Sequence, residues 1–451
     1  MPATRGLVST SQQLATWCAG LTVAAIPAEV RALIPLRVMD TVGLILVGAD
    51  TKAGAAARAY ALDQGGAAQS TLARGGVKVP PAMAALVHGT CAHCRDFDDT
   101  FMDSVVHPGS VVVSTALAVA EASNASNDDF IAAVTAGYEI AARLGAVAGR
   151  RFHAHALHAT GVIGPIAAAV TAGRLLRLNS EQFTSAMGLS ASMSGGLMAF
   201  IVDGGWSKWL HGGWAAHGGI VAAELAARGF VGPAHSLDGG HDLYTALLQG
   251  EPVDRARITA ALGNQWRGAT AEFKYYPCAH VIQPYIDAVL SIVTEHDLRA
   301  NDVAAVECAI APWAAAIVCE PRAAKLRFNT ELEAIASLPY QLAVAITERG
   351  VGLSALTQAM RSRADLPALA GRITHRNDPA LGKNFDGAVT LRTTSGKTFE
   401  RRATTPSLNP AKLADKYRAG VGPLNRQADE HVDRLLGDTG WRSAAAILDS
   451  A

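Results

Sequence analysis

At 451 residues the chain is longer than the size at which one hydrophobic core keeps growing, so two domains are the default expectation. Half of its residues are apolar, and 39 basic side chains balance 39 acidic ones. A net charge of zero and a pI near neutrality leave no overall field to hold nucleic acid or an anionic membrane surface, and neither is expected as a partner.

The opening MPATRGLVSTSQQLATWCAG has no continuous apolar run after its Arg and carries Ser, Thr and Gln, so it does not read as an export signal and a cytoplasmic protein is expected. As far as about residue 270 the apolar residues recur at helical spacing, with almost no strand-like alternation. Pro27 opens a helix predicted to run to about Val47, and Pro80-Pro81 opens one that delivers His93 and Asp96 at its C-terminal end. Ser126-Asn-Asp-Asp129 reads as a capping box ahead of a helix through Tyr138 and Arg143, and Asn179 with Gln182 repeats the pattern. The charge-free run 182–202 is about long enough to cross a bilayer. Its serines, threonine and glycines make it buried helix and turn instead. An Ala-rich helix is expected from near Gly213 to Gly229.

Past residue 270 the texture changes. Val306, Cys308 and Ile310 alternate with Glu307 and Ala309 as a strand does, and VTLRTTSGKTFERR reads as a hairpin turning at Ser395-Gly396. Helical segments 283–295 and 331–349 lie between them, and after Pro406 the spacing of Leu413, Tyr417 and Val421 is helical again. The fold expected is mainly α: a discontinuous all-helical domain, residues 1–270 and 406–451, into which a smaller α+β lid domain, residues 271–405, is inserted, with a ligand cleft between the two. The six cysteines (Cys18, Cys91, Cys94, Cys278, Cys308, Cys319) are scattered and read as reduced thiols. The Cys91-x-x-Cys94 pair has no second such motif and no His after it, so it reads as small buried helix residues.

Residues 92–108, AHCRDFDDTFMDSVVHP, gather His93, Asp96, Thr100 and His107 in one largely uncharged background. Buried carboxylates must find hydrogen bonds or neutralise, so such a cluster is either used in chemistry or is a solvated loop with a helix cap. Asp98-Asp99-Thr-Phe-Met-Asp103 is similar to the aspartate-rich Mg²⁺ site of helical isoprenoid synthases, but its spacing is one residue too long and no second acidic motif follows. In RRFHAHALHATG, His153, His155 and His158 precede a long uncharged helix. A helix N-terminus disfavours the imidazolium, so His158 stays neutral and can accept a proton, unless it is a capping or surface histidine. Lys208 and His211 lie among glycines and tryptophans, fit to hold a carboxylate or to snorkel over an aromatic surface. Lys274 sits at the proposed domain boundary and Tyr340 opens an apolar helix, where solvation and packing are the plainer readings. With no metal-ligand spacing and no phosphate loop, neither a metal nor a cofactor is expected, and the set fits a small polyanion and proton transfer. A non-catalytic carboxylate-binding protein would use the same lysines.

These stretches resemble the MmgE/PrpD family, which includes 2-methylcitrate dehydratase, cis-aconitate decarboxylase and iminodisuccinate epimerase. The resemblance is carried by H-x-x-D-F-D-D-T (His93 to Thr100) with His107-Pro-Gly, by His158-Ala-Thr-Gly, by SKWLHGGWAAHG, by KYYPC, by SLPY and by the NPAKLADKY ending at Tyr417. It implies a homodimer of two-domain subunits without metal or organic cofactor, acting on a small di- or tricarboxylate. It also implies that Asp96, Thr100, His107, His158, Lys208, Lys274 and Tyr340 line the pocket. The expected chemistry is that of a cofactor-independent lyase. Lys208 and Lys274 clamp carboxylates, while His107 and His158, oriented by Asp96, move protons; His93, Thr100, His211 and Tyr340 contact substrate. The reading favoured is a 2-methylcitrate dehydratase-like hydro-lyase of propionate catabolism, with a cis-aconitate decarboxylase-like carboxy-lyase or an epimerase of an amino or imino dicarboxylate as alternatives. Gly212 where relatives often carry Pro, and Asp238-Gly-Gly-His-Asp242 in place of E-G-x-x-G, are departures that bear on the substrate.

Overall fold

The computed structural model describes residues 8–383, 385–437 and 440–450. Residues 1–7, on which the reading of the N-terminus partly rests, lie outside the described residues. The chain is mainly helical and divides into two compact units, Met1–Phe273 with Pro410–Ala451, and Lys274–Asn409.

The first unit is built from α1 (Thr10–Gly20), α2 (Leu33–Ala49), α3 (Pro81–His93), α4 (Gly109–Ser123), α5 (Asn127–Ala148), α6 (Ala159–Leu175), α7 (Ser180–Ser192) and α8 (Ser207–Ala227). Local chemistry sets most of the starts. Pro81 occupies the first turn of α3, where its missing N–H costs nothing, Ser126 accepts the Asp129 N–H ahead of α5, and Asn179 and Gln182 complete a capping box on α7. The helix expected from Pro27 is divided at Ala32 into a single turn, Ala28–Arg31, and α2. The stretches Ala28–Ala49 and Asn127–Ala148 are long and apolar enough to cross a bilayer, yet 72% and 94% of their most apolar windows are buried inside the protein, as core helices are.

Helix α8 starts six residues before the expected Gly213. The glycines that looked like a helix boundary are its packing surface: a Cβ on Gly213 would lie 2.1 Å from the Leu86 carbonyl oxygen of α3, and one on Gly219 would lie 2.3 Å from Ala168 Cβ of α6. Backbone approach this close requires glycine, and it wedges α8 against both neighbours. Lys208 and His211 consequently sit in the first turns of a long helix.

The run 182–202 is buried only in part. After α7 the backbone is held by His158 N–H donating to the Gly196 carbonyl and by a Leu157–Leu197 bridge, which turns Leu197, Ile201 and Val202 outward, Val202 to 91% exposure.

In the second unit, α9 (Gln283–Glu295) and α10 (Leu338–Glu348) pack together, and α9 also covers a four-stranded sheet. Its strands are β1 (Val303–Ile310), β2 (Ile373–Asn377), β3 (Gly387–Thr393) and β4 (Thr398–Ala403), in the order β2-β1-β3-β4 with only β1 and β2 parallel. Val306 stands opposite both Ile373 and Leu391, and Gly396, at φ 87°, closes the β3–β4 turn. The single helix expected over 331–349 is two, because Ser337 and Pro339 start a fresh one after Glu331–Ile335.

The chain then returns to the first unit in α11 (Pro410–Val421), α12 (Ala428–Gly437) and α13 (Trp441–Ser450). Leu413, Tyr417 and Val421 face the core, with the Tyr417 ring seated on Gly43 of α2. Lys416 on the same helix pairs with Asp40 at 2.6 Å and donates to the Phe97 carbonyl at 2.8 Å, tying the C-terminal segment to the acidic loop. All six cysteines are buried thiols outside any disulfide.

Candidate active site

Helix α3 ends at His93, and α4 begins at Gly109; the fifteen-residue connection between them is the acidic segment, folded back on itself. Its backbone is pinned at several points. Thr100 and Glu272 exchange N–H···O=C bonds of 2.9 Å, Phe101 N–H donates to Val106, and His107 N–H donates to the Thr160 hydroxyl at 3.1 Å. Asp96 and Val105 take left-handed backbone conformations, φ 48° and 59°, and non-glycine residues adopt these only where the surroundings over-determine them.

The loop is buried rather than solvated, and each of its first three carboxyl groups has a different partner. Asp96 Oδ2 is 2.7 Å from Lys208 Nζ. Asp98 Oδ2 is 2.8 Å from His93 Nδ1, and its other oxygen is 3.4 Å from His107 Nδ1. Asp99 accepts the Gly109 N–H at 2.8 Å and the Tyr138 hydroxyl at 2.7 Å. Burial pushes the Asp99 carboxyl up to about 7, against the lowering effect of Arg37 and of the Tyr138 hydrogen bond.

Around the Lys208–Asp96 pair stand five imidazoles. The ring centres of His93 and His107 are 4.9 Å apart, those of His93 and His158 5.5 Å, those of His158 and His211 5.1 Å, and His153 stacks on His158 at 5.9 Å. His158 is held well below the ordinary histidine range, first by burial and then by the neighbouring His93 and Lys208. His153 and His211 are lowered to about 4 by burial and by Lys208 nearby, with His93 adding to the effect on His211. The neutral His158 foreseen at a helix N-terminus thus owes its state mainly to desolvation. His155 points elsewhere, to Glu251.

Hydrogen-bond partners settle where two of the protons sit. His107 Nδ1 is 3.1 Å from the Asp99 carbonyl oxygen, which can only accept, so Nδ1 carries a hydrogen, and in the neutral ring Nε2 is the unprotonated nitrogen. An ionised Asp98 likewise takes a hydrogen from His93 Nδ1, and the buried His93 Nε2 has no hydrogen-bond partner among the described residues. His158 and His211 share one proton between Nδ1 atoms 3.0 Å apart. The site therefore offers a lysine cation beside imidazoles able to take up protons, in surroundings where charge interactions are weakly screened.

Among the expected site residues, His93, Asp96, Thr100, His107, His158, Lys208 and His211 are thereby gathered in the first unit. The expected link from Asp96 to His107 is 4.0 Å long, to Nε2; the orienting contacts to Nδ1 come from Asp98, the Asp99 carbonyl and the Thr100 hydroxyl at 3.2 Å. Lys274 and Tyr340 belong to the second unit. Lys274 is buried there, and Tyr340 donates its hydroxyl to the Ala355 carbonyl and packs on Phe328, with burial raising its phenol to about 12. His93, Asp98 and His107 each bring a donor atom within 4.8 Å of the others, a grouping that can span a metal ion and that their sequence spacing does not announce. For a metal to bind at His107 Nδ1, the hydrogen given to Asp99 would have to leave.

Residues 12–256 match the model of the MmgE/PrpD N-terminal domain, and residues 276–436 match that of the MmgE/PrpD C-terminal domain. The cis-aconitate decarboxylase-like protein oryM of Aspergillus oryzae is 26% identical over 290 residues, 61% of this chain and 60% of that protein. Human cis-aconitate decarboxylase is 31% identical over 243 residues, 51% of this chain and 49% of the human one, and the mouse enzyme is 23% identical over 86% of this chain and 81% of its own. The chain spans about half to three fifths of the length of the first relatives it matches.

Proposed function

The chain belongs to the MmgE/PrpD family, and from that premise we propose that it is a cytoplasmic, metal-independent lyase acting on a small di- or tricarboxylate. The observation that carries this reading is the buried Lys208–Asp96 pair set among imidazoles whose partners leave proton-accepting nitrogens. Lys208 receives a substrate carboxylate in competition with Asp96. His107 Nε2 removes the proton from the carbon beside that carboxylate, and the imidazolium so formed on His107 protonates the departing hydroxyl as the C–O bond breaks, with the neutral His158 ring beside it. The products are an alkene and water. A water-poor pocket strengthens the lysine's hold on the developing negative charge, and each acid–base group contributes on the order of 10²–10⁴ in rate.

This is the 2-methylcitrate dehydratase-like reading. The decarboxylase names of the relatives favour a second, in which the C–C bond to a carboxylate breaks with loss of CO₂ and His107, having taken up a proton from solvent, delivers it to the carbanion left behind. As the family resemblance implies, the enzyme is taken to work as a homodimer.

Proton NMR in D₂O with 2-methylcitrate, citrate, cis-aconitate and iminodisuccinate side by side separates the readings. An alkene product indicates a hydro-lyase and CO₂ release a carboxy-lyase, while α-proton exchange without net product indicates an epimerase. Activity should survive EDTA, and His158→Ala or Lys208→Ala should lower turnover at least about a hundredfold. Activity of either variant within a few-fold of wild type, or no exchange on any of the four acids, removes the proposal.

A further inference from the structure

One buried carboxyl group in the loop touches neither Lys208 nor an imidazole through its side chain, yet it grips the loop on both sides of His107. Asp99 Oδ1 accepts the N–H of Gly109, two residues beyond His107, and the backbone carbonyl of Asp99 itself faces His107 Nδ1 at 3.1 Å. Its Oδ2 takes the hydroxyl of Tyr138, from the middle of α5, at 2.7 Å. Tyr138 is held in turn by Arg37 of α2, whose guanidinium carbon lies 3.7 Å over the phenol ring and which donates to the Gly268 carbonyl. Gly268 N–H goes to Glu139, the next residue of α5, at 2.6 Å. Space confirms how closely these parts fit: a Cβ on Gly109 would stand 2.7 Å from Asp99 Oδ1 and 3.1 Å from the Tyr138 oxygen.

We propose that Asp99, clamped by Tyr138 and Arg37, is a positioning residue that locks neutral His107 in the Nδ1–H tautomer and so leaves Nε2 unprotonated to act as the base of the proposed lyase reaction. The inference rests on that functional reading for its catalytic meaning, while the lock itself is a property of the resting protein. The hydrogen bonds at Asp99 hold the 99–109 loop closed, so the Asp99 carbonyl cannot swing away from the ring. Without the clamp, the competing acceptors at 3.2 and 3.4 Å, the Thr100 hydroxyl and Asp98, can still draw the ring but no longer fix its plane. Asp96, 4.0 Å from Nε2, is then free to capture an Nε2 hydrogen, giving the unproductive tautomer. Both carboxyl protonation states accept the Gly109 N–H, so the lock is indifferent to the elevated titration of Asp99.

The test uses the full-length protein with ¹⁵N-labelled histidine, His107 being assigned by comparison with His107→Ala. Long-range ¹H–¹⁵N spectra at pH 7.5 should show Nδ1 protonated and Nε2 bare. Tyr138→Phe should give a mixture of the two tautomers and lower kcat by roughly ten- to a hundredfold with KM changed little, the size expected when a base is misaligned or mis-tautomerised. Asp99→Asn is the conservative rescue: its oxygen still accepts from Gly109 and its NH₂ can donate to a reoriented Tyr138 hydroxyl, so tautomer and kcat should stay near wild type. Asp99→Ala, which removes both clamp bonds, should give the same tautomer mixture and loss of kcat, and if it fails to fold, Tyr138→Phe carries the test alone. Wild-type His107 protonated on Nε2, or Tyr138→Phe with an unchanged tautomer and unchanged kcat, overturns the lock. A locked tautomer in a protein inactive on every polycarboxylate overturns the functional reading and leaves the lock standing.

Discussion

At the residue scale, the site's most consequential property is that burial holds His153, His158 and His211 neutral, and this has a measurable thermodynamic consequence. His153 and His211 are lowered to about 4, His158 lies well below 6.5, and His88, away from the site on α3, is also lowered to about 4 by burial. In the unfolded chain each titrates near 6.5. The unfolded state therefore binds more protons between pH 6.5 and 4, so stability present above about 6.5 drains away as pH falls through that window. Asp99, raised to about 7, has the opposite sign, since its folded form gains relative stability as pH drops below 7. One carboxyl opposes four imidazoles, and the net change from pH 7.5 to 5 should be a loss of at least about 2 kcal/mol, read from urea midpoints at a series of pH values. A flat profile over that range contradicts the buried, neutral assignment. The sequence announced the acidic loop and its histidines but not which carboxyl serves which partner. That choice depends on the left-handed turn at Asp96 and on Tyr138 and Arg37, which arrive from helices far along the chain.

At the element scale, caps and prolines were legible because their chemistry is local: Pro81, Ser126 and the Asn179–Gln182 box start helices where their residue types say they should. The start of α8 was not, because a Gly-Gly pair has two physical meanings, a helix boundary or a surface for close backbone packing, and only the neighbours decide between them. The two meanings make different predictions for alanine. At Gly213 a Cβ would collide with the Leu86 carbonyl oxygen at 2.1 Å and the Thr90 backbone nitrogen at 2.8 Å. Gly213→Ala should destabilise by about 1–3 kcal/mol or more and, by displacing α8, should carry Lys208 and His211 away from their partners. At Gly218, on the same helix, a Cβ meets nothing within 4 Å. Gly218→Ala should be neutral or stabilising by up to about 1 kcal/mol, since only the helix propensity changes. Chemical denaturation of the two variants compares them directly, and equal effects would refute the packing role of Gly213.

At the scale of the whole molecule, the feature with no internal explanation is a stretch of apolar surface on the first unit. Ile201 and Val202 are exposed beside the site, where Phe200 lies 6.1 Å from the His211 ring. Trp206, the N-cap of α8, and Leu210 and Trp214 within it are exposed at four-residue intervals, the spacing of a single helix face. The opposite face of that helix carries the glycines that pack on α3 and α6, so α8 presents Lys208 inward and an aromatic-aliphatic stripe outward. Large exposed apolar patches are costly to leave in water and mark interaction surfaces. A second copy of this chain is the occupant consistent with the homodimer proposed above, because a two-fold axis brings the same stripe to both sides of the contact. Light scattering coupled to size exclusion should give a mass near twice 46.8 kDa for the wild type. Val202→Asp combined with Trp214→Glu should give a monomer, since a carboxylate introduced on each side of a two-fold contact must be desolvated opposite its own copy. A wild-type protein that elutes at the monomer mass at all concentrations tested, or a double variant that stays dimeric, rules this surface out as the dimer contact.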